Sequence, residues 1–122
     1  MIVEDDAFVM DIYRTKLSQA GYEVMGAANG MEALEKLGSS DGLPDLILLD
    51  ILMPLVGGIE VLKKIKEDEK LKKIPVILLT NLSQKDDIDL GISLGADDYL
   101  IKSHFTPSEV MEKIEERLGI KK

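Results

Sequence analysis

A regular alternation of short apolar runs with longer amphipathic segments is the feature that most constrains the fold of this chain. The apolar runs lie at residues 1–3, 23–27, 46–49, 76–79 and 99–101. The third and fourth are continuously apolar, which is typical of strands buried on both faces of a sheet. Alternating strands and helices form parallel sheets with right-handed crossovers. We therefore predict an α/β fold with a five-stranded parallel sheet covered by helices on both faces.

The predicted strand order is 2-1-3-4-5, because five strands in a chain of this length suit the doubly wound, flavodoxin-like (β/α)5 arrangement. Gly21 predicts the end of the first helix, and the third helix is expected over 59–70. The last helix is expected to end near Leu118 and Gly119. Cap and capping-box positions are matched by Asn29 with Glu32, by Ser83 with Asp86, and by Thr106 with Pro107 and Glu109. Helical spacing predicts buried faces at Met10, Tyr13, Leu17, Ala20, Val61, Leu62, Ile65, Ile88 and Ile92.

Composition narrows the range of functions. The chain has 122 residues, which predicts a single domain over 1–122, and 45% of them are hydrophobic, enough to bury one core. The formal net charge of -8 disfavours direct binding to nucleic acid or anionic lipid. The lack of cysteine excludes disulfides, thiol catalysis and cysteine-based zinc sites. Because no apolar run reaches the length of a membrane span, and no secretory signal is evident, we expect a cytoplasmic protein.

Acidic, hydroxyl and amino side chains that could bind a ligand or react follow four of the five predicted strands. In an open parallel sheet, ligands bind beyond the carboxyl ends of the strands, at the switch in strand order. The residues there are Glu4, Asp5 and Asp6 after the first strand, Asp50 after the third, Thr80 after the fourth and Lys102 after the fifth. Clustered carboxylates repel one another, and a hard divalent cation such as Mg²⁺ would offset that repulsion. Together with a lysine and a hydroxyl, such a site resembles those that bind a transferring phosphoryl group.

Each of these residues has a structural explanation when it is considered alone. Asp6 could be only a helix cap, Thr80 a turn residue and Lys102 a solvated lysine. The basic stretch over 63–73 is interleaved with acids, which indicates a solvated helix face rather than a binding patch. The joint placement of the six residues at four strand ends is what favours a functional site.

The motifs at these positions resemble those of the response-regulator receiver family, and the resemblance extends over essentially the whole chain. They are Ile2-Val3-Glu4-Asp5-Asp6, Leu48-Leu49-Asp50-Ile51-Leu52-Met53-Pro54 with Gly58, Pro75-Val76-Ile77-Leu78-Leu79-Thr80, and Gly95-Ala96-Asp97-Asp98-Tyr99-Leu100-Ile101-Lys102. Each fragment is weak by itself, but the order and spacing are highly specific. The resemblance implies a bacterial two-component or phosphorelay switch, not an enzyme with a separate substrate.

The family's roles carry over position by position. Asp50 matches the phosphate acceptor, and Glu4 and Asp5 match the acidic pair that holds Mg²⁺, with Mn²⁺ as an alternative. Asp50 and the backbone carbonyl of Leu52 would supply further metal ligands, whereas Asp6 falls one residue past the pair. Lys102 matches the lysine that pairs with the acceptor and then with the phosphoryl group. Thr80 and Tyr99 match the switch residues, of which Tyr99 moves inward after Thr80 and remodels the surface of helix 4, strand 5 and helix 5.

Partners also follow from the resemblance. The phosphoryl donor would be the phosphohistidine of a sensor histidine kinase or a histidine phosphotransfer protein, and the output would be a downstream protein effector. The domain would be a monomer or a phosphorylation-dependent dimer. The exposed face of helices 4 and 5 is the expected partner surface, although Leu90 and Leu94 are too few to define a patch.

The sequence departs from the family pattern at several positions. Ser103 follows Lys102 where the family usually has a proline, often after a cis bond, so we predict a trans Lys102–Ser103 bond. Asn81 stands where a small residue is common, and its bulk is expected to narrow access to Asp50. Leu52 and Leu82 flank the site, and two apolar side chains are expected to hinder an attacking water, which predicts a long-lived phosphoryl group. The single histidine, His104, is expected to anchor its loop rather than to do chemistry.

Other functions stay open at this stage. The chain could be a stand-alone receiver, the receiver of a longer transcriptional regulator, or a phosphorylation-independent pseudo-receiver, and its end at 119–122 fits the first two equally well. An aspartyl-phosphate hydrolase is disfavoured because Leu52 stands where that class has a second acid. A flavin-binding flavodoxin is disfavoured because the acidic triplet at 4–6 would repel a phosphate.

Overall fold

The computed structural model describes residues 1–39, 42–53 and 56–119, which form a single five-stranded parallel sheet. The strands are β1 (Ile2–Val3), β2 (Gly26–Ala27), β3 (Ile47–Leu49), β4 (Val76–Thr80) and β5 (Asp98–Ile101). Their order is β2-β1-β3-β4-β5, and all four pairings are parallel. The predicted fold class and strand order are therefore confirmed.

The helices are α1 (Ala7–Gln19), α2 (Gly30–Gly38), α3 (Gly58–Glu67), α4 (Lys85–Ser93) and α5 (Pro107–Leu118). A short 3-10 turn at Lys102–His104 connects β5 to α5. The start and end of α5 follow the prediction, with a complete capping box between Thr106 and Glu109, Pro107 in the first turn and Gly119 in the left-handed conformation at φ 76°. None of the helices in the described part of the chain is long and apolar enough to cross a membrane.

The two faces of the sheet bury separate apolar clusters. Along β3, Ile47 and Leu49 contribute to one cluster and Leu48 to the other, as the alternation of side chains in a strand requires. The first cluster packs against α2 and α3, and the second against α1 and α5. Helices therefore cover both faces of the sheet, and this is why the apolar runs of β3 and β4 are continuous.

Several element boundaries differ from the prediction. The second strand pairs only at Gly26–Ala27, because its neighbour β1 is itself two residues long. Helix α3 ends at Glu67 rather than Lys70, since the Asp68 carboxylate accepts hydrogen bonds from the backbone N–H groups of Lys70 and Leu71 and forms a turn instead. Ala20 is exposed because it is the C-terminal cap of α1 and lies past its buried face.

The fourth helix begins later than predicted. Its cap is Gln84, not Ser83, and no side chain bonds to its first turn, so the predicted Ser83–Asp86 box does not form. Gln84 stays extended because the preceding segment is held to the sheet at Leu82, whose N–H donates to Thr80 Oγ1 and whose carbonyl accepts from the Tyr99 hydroxyl. Ile88 is only half-buried and Ile92 is exposed, so the predicted inner face of α4 is wrong; Gly91 is its buried residue.

Gly58, at the start of α3, lies directly against the backbone that carries Asp50. Its N–H donates a hydrogen bond of 3.0 Å to the carbonyl of Ile51. A Cβ at this position would be 2.1 Å from the Asp50 carbonyl oxygen and 2.6 Å from the Ile51 Cα. Both are backbone atoms that cannot rotate away, so the glycine allows α3 to approach the strand end.

We expect Gly58→Ala to lower the free energy of unfolding by about 1–3 kcal/mol, because the added methyl group overpacks this contact and forces the backbone to shift. The adjacent Gly57→Ala is a matched control, since its Cβ would meet only the Ile51 carbonyl oxygen, at 3.6 Å. That control is expected to stay within about 1 kcal/mol of the wild type. Urea denaturation of the two variants tests the explanation, and equal losses in both would contradict it.

Candidate functional site

Four strand ends bring the predicted site residues together at the carboxyl edge of the sheet. Glu4 follows β1, Asp50 follows β3, Thr80 is the last residue of β4, and Lys102 follows β5. The Glu4 N–H donates to the Ala27 carbonyl and the Asp50 N–H donates to the Val3 carbonyl, each at 3.0 Å, so sheet pairing continues into the site. Glu4, Asp50 and Thr80 are at most 5% exposed. Rigid strands thus fix the position of each side chain.

Lys102 pairs with both buried carboxylates. Its ammonium lies 2.6 Å from Glu4 Oε1 and 2.8 Å from Asp50 Oδ2. The sequence predicted the pairing with Asp50, but not the equal one with Glu4. The remaining oxygens accept backbone hydrogen bonds, Glu4 Oε2 from the Asp6 N–H and Asp50 Oδ1 from the Leu52 N–H. One cation therefore holds two acids that would otherwise be buried without a counter-charge.

The pKa values of Glu4 and Lys102 reflect a balance between burial and charge. Burial raises the pKa of Glu4 above its ordinary value, and the hydrogen bond from Lys102 only partly offsets this. Burial is also the largest single influence on Lys102 and lowers its pKa, but the hydrogen bonds to Asp50 and Glu4 and the charges of these two residues together outweigh it, so the lysine pKa is raised. Lys102 is therefore firmly protonated at neutral pH and available as a fixed cation.

Three carboxylates of the site are close enough to share a metal ion. Glu4, Asp5 and Asp50 each offer an oxygen, and these oxygens lie within 4.8 Å of one another. Glu4 and Asp50 are buried, and Asp5 is exposed. The single ammonium of Lys102 offsets the charge of only one carboxylate, so the group as a whole is negative. Its hard oxygen ligands suit a partly hydrated Mg²⁺ or Mn²⁺.

Asp6 has a structural role at the same strand end. Its Oδ1 accepts hydrogen bonds from the backbone N–H groups of Phe8 and Val9, at 2.9 Å and 3.2 Å, and caps α1. It is not a member of the carboxylate group formed by Glu4, Asp5 and Asp50. The three adjacent acids at 4–6 thus divide into two potential ligands and one helix cap.

Thr80 and Tyr99 meet at the backbone of Leu82. Thr80 is fully buried, and its hydroxyl oxygen accepts a long hydrogen bond of 3.4 Å from the Leu82 N–H. The hydroxyl of Tyr99, which is half-buried, donates to the Leu82 carbonyl at 2.7 Å. Burial, followed by the nearby charges of Asp87 and Asp50, raises the pKa of Tyr99. Both predicted switch residues therefore contact the loop that leads into α4.

Tyr99→Phe is expected to lower the free energy of unfolding by about 0.5–1.5 kcal/mol, because it removes one intramolecular hydrogen bond and leaves the Leu82 carbonyl without it. The aromatic ring and its packing are retained. Urea denaturation of the unphosphorylated protein measures the change. An unchanged transition midpoint would contradict a structural role for the tyrosine hydroxyl in this state.

The segment after Lys102 contains two residues that the sequence only partly explained. The Lys102–Ser103 bond is trans, as predicted; the described residues contain no cis peptide bond. The Ser103 N–H donates to Asn81 Oδ1 at 3.2 Å, a contact that sequence reasoning missed. His104 is exposed.

Leu52, which follows β3 beside Asp50, is 56% exposed. The motif residue Pro54 lies outside the described residues, as do residues 120–122 of the chain end.

Comparison with known proteins identifies the family to which the chain belongs. The family model for the response regulator receiver domain matches residues 1–115. The chain is a response regulator receiver domain. Receivers of this family act as phosphoacceptor switches in two-component systems and bind Mg²⁺ or Mn²⁺ at an acidic pocket.

Relatives of this receiver differ in length. It is 39% identical over 119 residues to the polar-differentiation response regulator DivK of Brucella anthropi, covering 98% of this chain and 94% of DivK. It is 36% identical over 114 residues to the alkaline phosphatase synthesis transcriptional regulatory protein PhoP of Bacillus subtilis, covering 93% of this chain and 45% of PhoP. The receiver thus spans about half the length of the transcriptional regulators that it matches.

Solved structures support the same fold. A putative response regulator from Chloroflexus aurantiacus superposes with a TM-score of 0.87 at 34% identity, covering 97% of this chain and 94% of that one. The Mn²⁺-bound form of the response regulator Rcp1 superposes with a TM-score of 0.83 at 29% identity, covering 94% and 89% of the two chains.

Proposed function

We propose that this receiver domain is a phosphorylation-operated switch in which Asp50 accepts a phosphoryl group from a protein phosphohistidine. The observation that carries the proposal is the pairing of Asp50 with the half-buried Lys102 at 2.8 Å, within a group of three carboxylates. A carboxylate held in place by a neighbouring ammonium is an oriented nucleophile, because one cation fixes the position of its oxygens at the site of attack.

The transfer exchanges one bond to phosphorus for another. A carboxylate oxygen of Asp50 forms the new O–P bond, the N–P bond of the phosphohistidine breaks, and its electron pair returns to the imidazole, which takes up a proton. Lys102 stabilises the negative charge on the phosphoryl oxygens, since its ammonium is already within 2.8 Å of the acceptor carboxylate. The product is an aspartyl phosphate beside a fixed cation.

Glu4, Asp5 and Asp50 would hold the divalent cation that the family uses. Their excess charge and oxygen ligands suit Mg²⁺, and the Mn²⁺ reported for Rcp1 indicates that this class of site accepts either ion. The backbone carbonyl of Leu52 would be a further ligand. When bound, the ion neutralises charge on the transferring phosphoryl group.

Phosphorylation would switch the surface formed by α4, β5 and α5. The phosphoryl group adds charge and strong acceptors at Asp50, which would draw the Thr80 hydroxyl away from Leu82. Because Tyr99 donates to the Leu82 carbonyl, a movement of that loop would also release the tyrosine. The change is a shift between two arrangements of one loop, recognised by a downstream protein effector.

The test is intact mass after incubation with Mg²⁺ and acetyl phosphate. We expect the wild type to gain one phosphoryl group, and Asp50→Asn to gain none. Addition of EDTA before the donor is expected to prevent the gain. If neither protein gains mass, a purified phosphohistidine phosphotransfer protein replaces acetyl phosphate as the donor; a wild type that gains mass from neither donor would contradict the proposal.

The same test distinguishes a phosphorylation-independent pseudo-receiver from the proposed switch. A pseudo-receiver would stay unphosphorylated with both donors. A receiver that is part of a longer regulator would resemble PhoP, of which the matched region is 45%, and a stand-alone cytoplasmic receiver over 1–122 would resemble DivK, of which it is 94%. Both of these retain the chemistry at Asp50 and differ only in how the switched surface is used.

A further inference from the structure

The loops that carry Thr80 and Lys102 are joined by a hydrogen bond outside the carboxylate group. The Ser103 N–H donates to the side-chain oxygen of Asn81 at 3.2 Å. Asn81 directly follows Thr80, and Ser103 directly follows Lys102. The bond therefore connects two chain segments that each carry one functional side chain, although 22 residues separate its partners.

The register of the sheet brings these partners together. In the β4–β5 ladder Thr80 is opposite Ile101, so the chain positions one residue further along are Asn81 and Lys102. The Asn81 side chain reaches past that level to the next amide. Its partner N–H lies in the first turn of the 3-10 turn Lys102–His104, where backbone donors have no acceptor within the turn. Asn81 thus acts as a cap supplied by the neighbouring strand.

We propose that Asn81 is a positioning residue that fixes the turn carrying Lys102 and thereby sets the rate at which Asp50 is phosphorylated. The inference rests on the function proposed above. Lys102 reaches Asp50 and Glu4 with bonds of 2.8 Å and 2.6 Å, so its backbone must be held for both to form. Downstream, the Phe105 N–H donates a long bond of 3.5 Å to the Lys102 carbonyl.

Removing the acceptor at position 81 is the first part of the test. Asn81→Leu keeps most of the bulk and removes the oxygen, and Asn81→Ala removes both. We expect each to slow phosphorylation by acetyl phosphate with Mg²⁺ by roughly threefold to tenfold, the range that corresponds to one hydrogen bond. If Asn81→Ala instead speeds the reaction while Asn81→Leu does not, Asn81 limits access to Asp50 by its bulk, and the proposal is wrong.

Removing the donor at position 103 completes a double-mutant cycle. Ser103→Pro deletes the N–H, whereas Ser103→Ala deletes only the hydroxyl and keeps the N–H. In the Ser103→Ala background, Asn81→Leu should have its full effect on the rate. In the Ser103→Pro background it should have almost none, because the bond is already absent. Equal effects of Asn81→Leu in both backgrounds would overturn the proposal.

Hydrogen exchange gives a readout that needs no phosphorylation. In the unphosphorylated protein with EDTA, the Ser103 amide is expected to exchange several-fold faster in Asn81→Leu than in the wild type, while amides in the core of β4 are unchanged. Unchanged exchange at Ser103 would refute the bond itself. If exchange responds but the wild type accepts no phosphoryl group from any donor, the proposed function fails and the cap remains.

Discussion

Lys102→Met is expected to slow phosphorylation of Asp50 by about a hundredfold or more, while the variant binds Mg²⁺ about tenfold more tightly than the wild type. The two effects have opposite signs because the ammonium plays two roles. It stabilises the negative phosphoryl group during transfer, and it repels a second cation from the carboxylates that it already neutralises. Methionine has a similar length and no charge, so the side-chain volume is largely kept.

The size of the first effect follows from the geometry. Lys102 is the cation that contacts both Glu4 and Asp50, at 2.6 Å and 2.8 Å, and it is only 19% exposed. A fixed charge that is mostly shielded from solvent stabilises developing charge far more than one in bulk solvent. Removal of one hydrogen-bond donor from the oxyanion hole of an enzyme costs about a hundredfold to a thousandfold in rate, and we expect a similar loss here.

Rate and affinity are measured on the same samples, by intact mass over time and by Mg²⁺ titration of the unphosphorylated protein. Lys72→Met is the matched control, because Lys72 pairs with Glu69 on the surface at 2.8 Å. It should leave both quantities unchanged. A Lys102→Met protein that is phosphorylated at the wild-type rate, or that binds Mg²⁺ more weakly, would contradict this account of the lysine.

The fold was predictable because its strongest determinants are local. Continuous apolar runs such as 46–49 and 76–79 leave no polar face for a strand, so both faces of the sheet must be covered. That requirement, together with the alternation of strands and helices, leads to the doubly wound order. The site residues followed from the same reasoning, because the topology places the residue after each strand at one edge.

What was missed depends on contacts between distant segments. Ser83 and Asp86 match a capping box, but α4 begins at Lys85 because Thr80 and Tyr99 hold the preceding backbone at Leu82. Sequence spacing carries no information about a hydroxyl that reaches across from β5. The bond between Asn81 and Ser103 is hidden for the same reason, since the β4–β5 register creates it.

The capping box predicted for Asn29 and Glu32 at the start of α2 forms only in part. Asn29 caps α2 as predicted, accepting from the Glu32 N–H at 2.9 Å. The Glu32 carboxylate, however, accepts from the Ala28 N–H instead of the Asn29 N–H, and it also pairs with Lys36 at 3.0 Å. A competing lysine one turn later draws the carboxylate away from the predicted partner, and the sequence alone does not rank the two.

Mg²⁺ is expected to raise the free energy of unfolding of the wild type by about 2.7 kcal/mol at a concentration one hundred times its dissociation constant, because it binds the folded site and not the unfolded chain. Asp5→Asn is expected to lose most of this gain, since it removes one of the three clustered carboxylates. In EDTA the order reverses. Asp5→Asn should then be more stable than the wild type, because fewer negative charges repel one another around a single lysine.

Asp6→Asn is the control variant that distinguishes loss of a metal ligand at Asp5 from loss of a negative charge at the adjacent position. Asp6 is adjacent to Asp5 but caps α1 through Oδ1, and asparagine caps a helix about as well as aspartate does. We therefore expect Asp6→Asn to keep the full Mg²⁺ stabilisation.

Urea denaturation of the wild type, Asp5→Asn and Asp6→Asn, with Mg²⁺ and with EDTA, gives the comparison. A Mg²⁺ effect that disappears in Asp6→Asn and survives in Asp5→Asn would mean that the metal uses a different acid from the group formed by Glu4, Asp5 and Asp50. A crossing of the stability order for Asp5→Asn alone would show that the strand-end carboxylates are kept together at a cost in stability that the metal offsets.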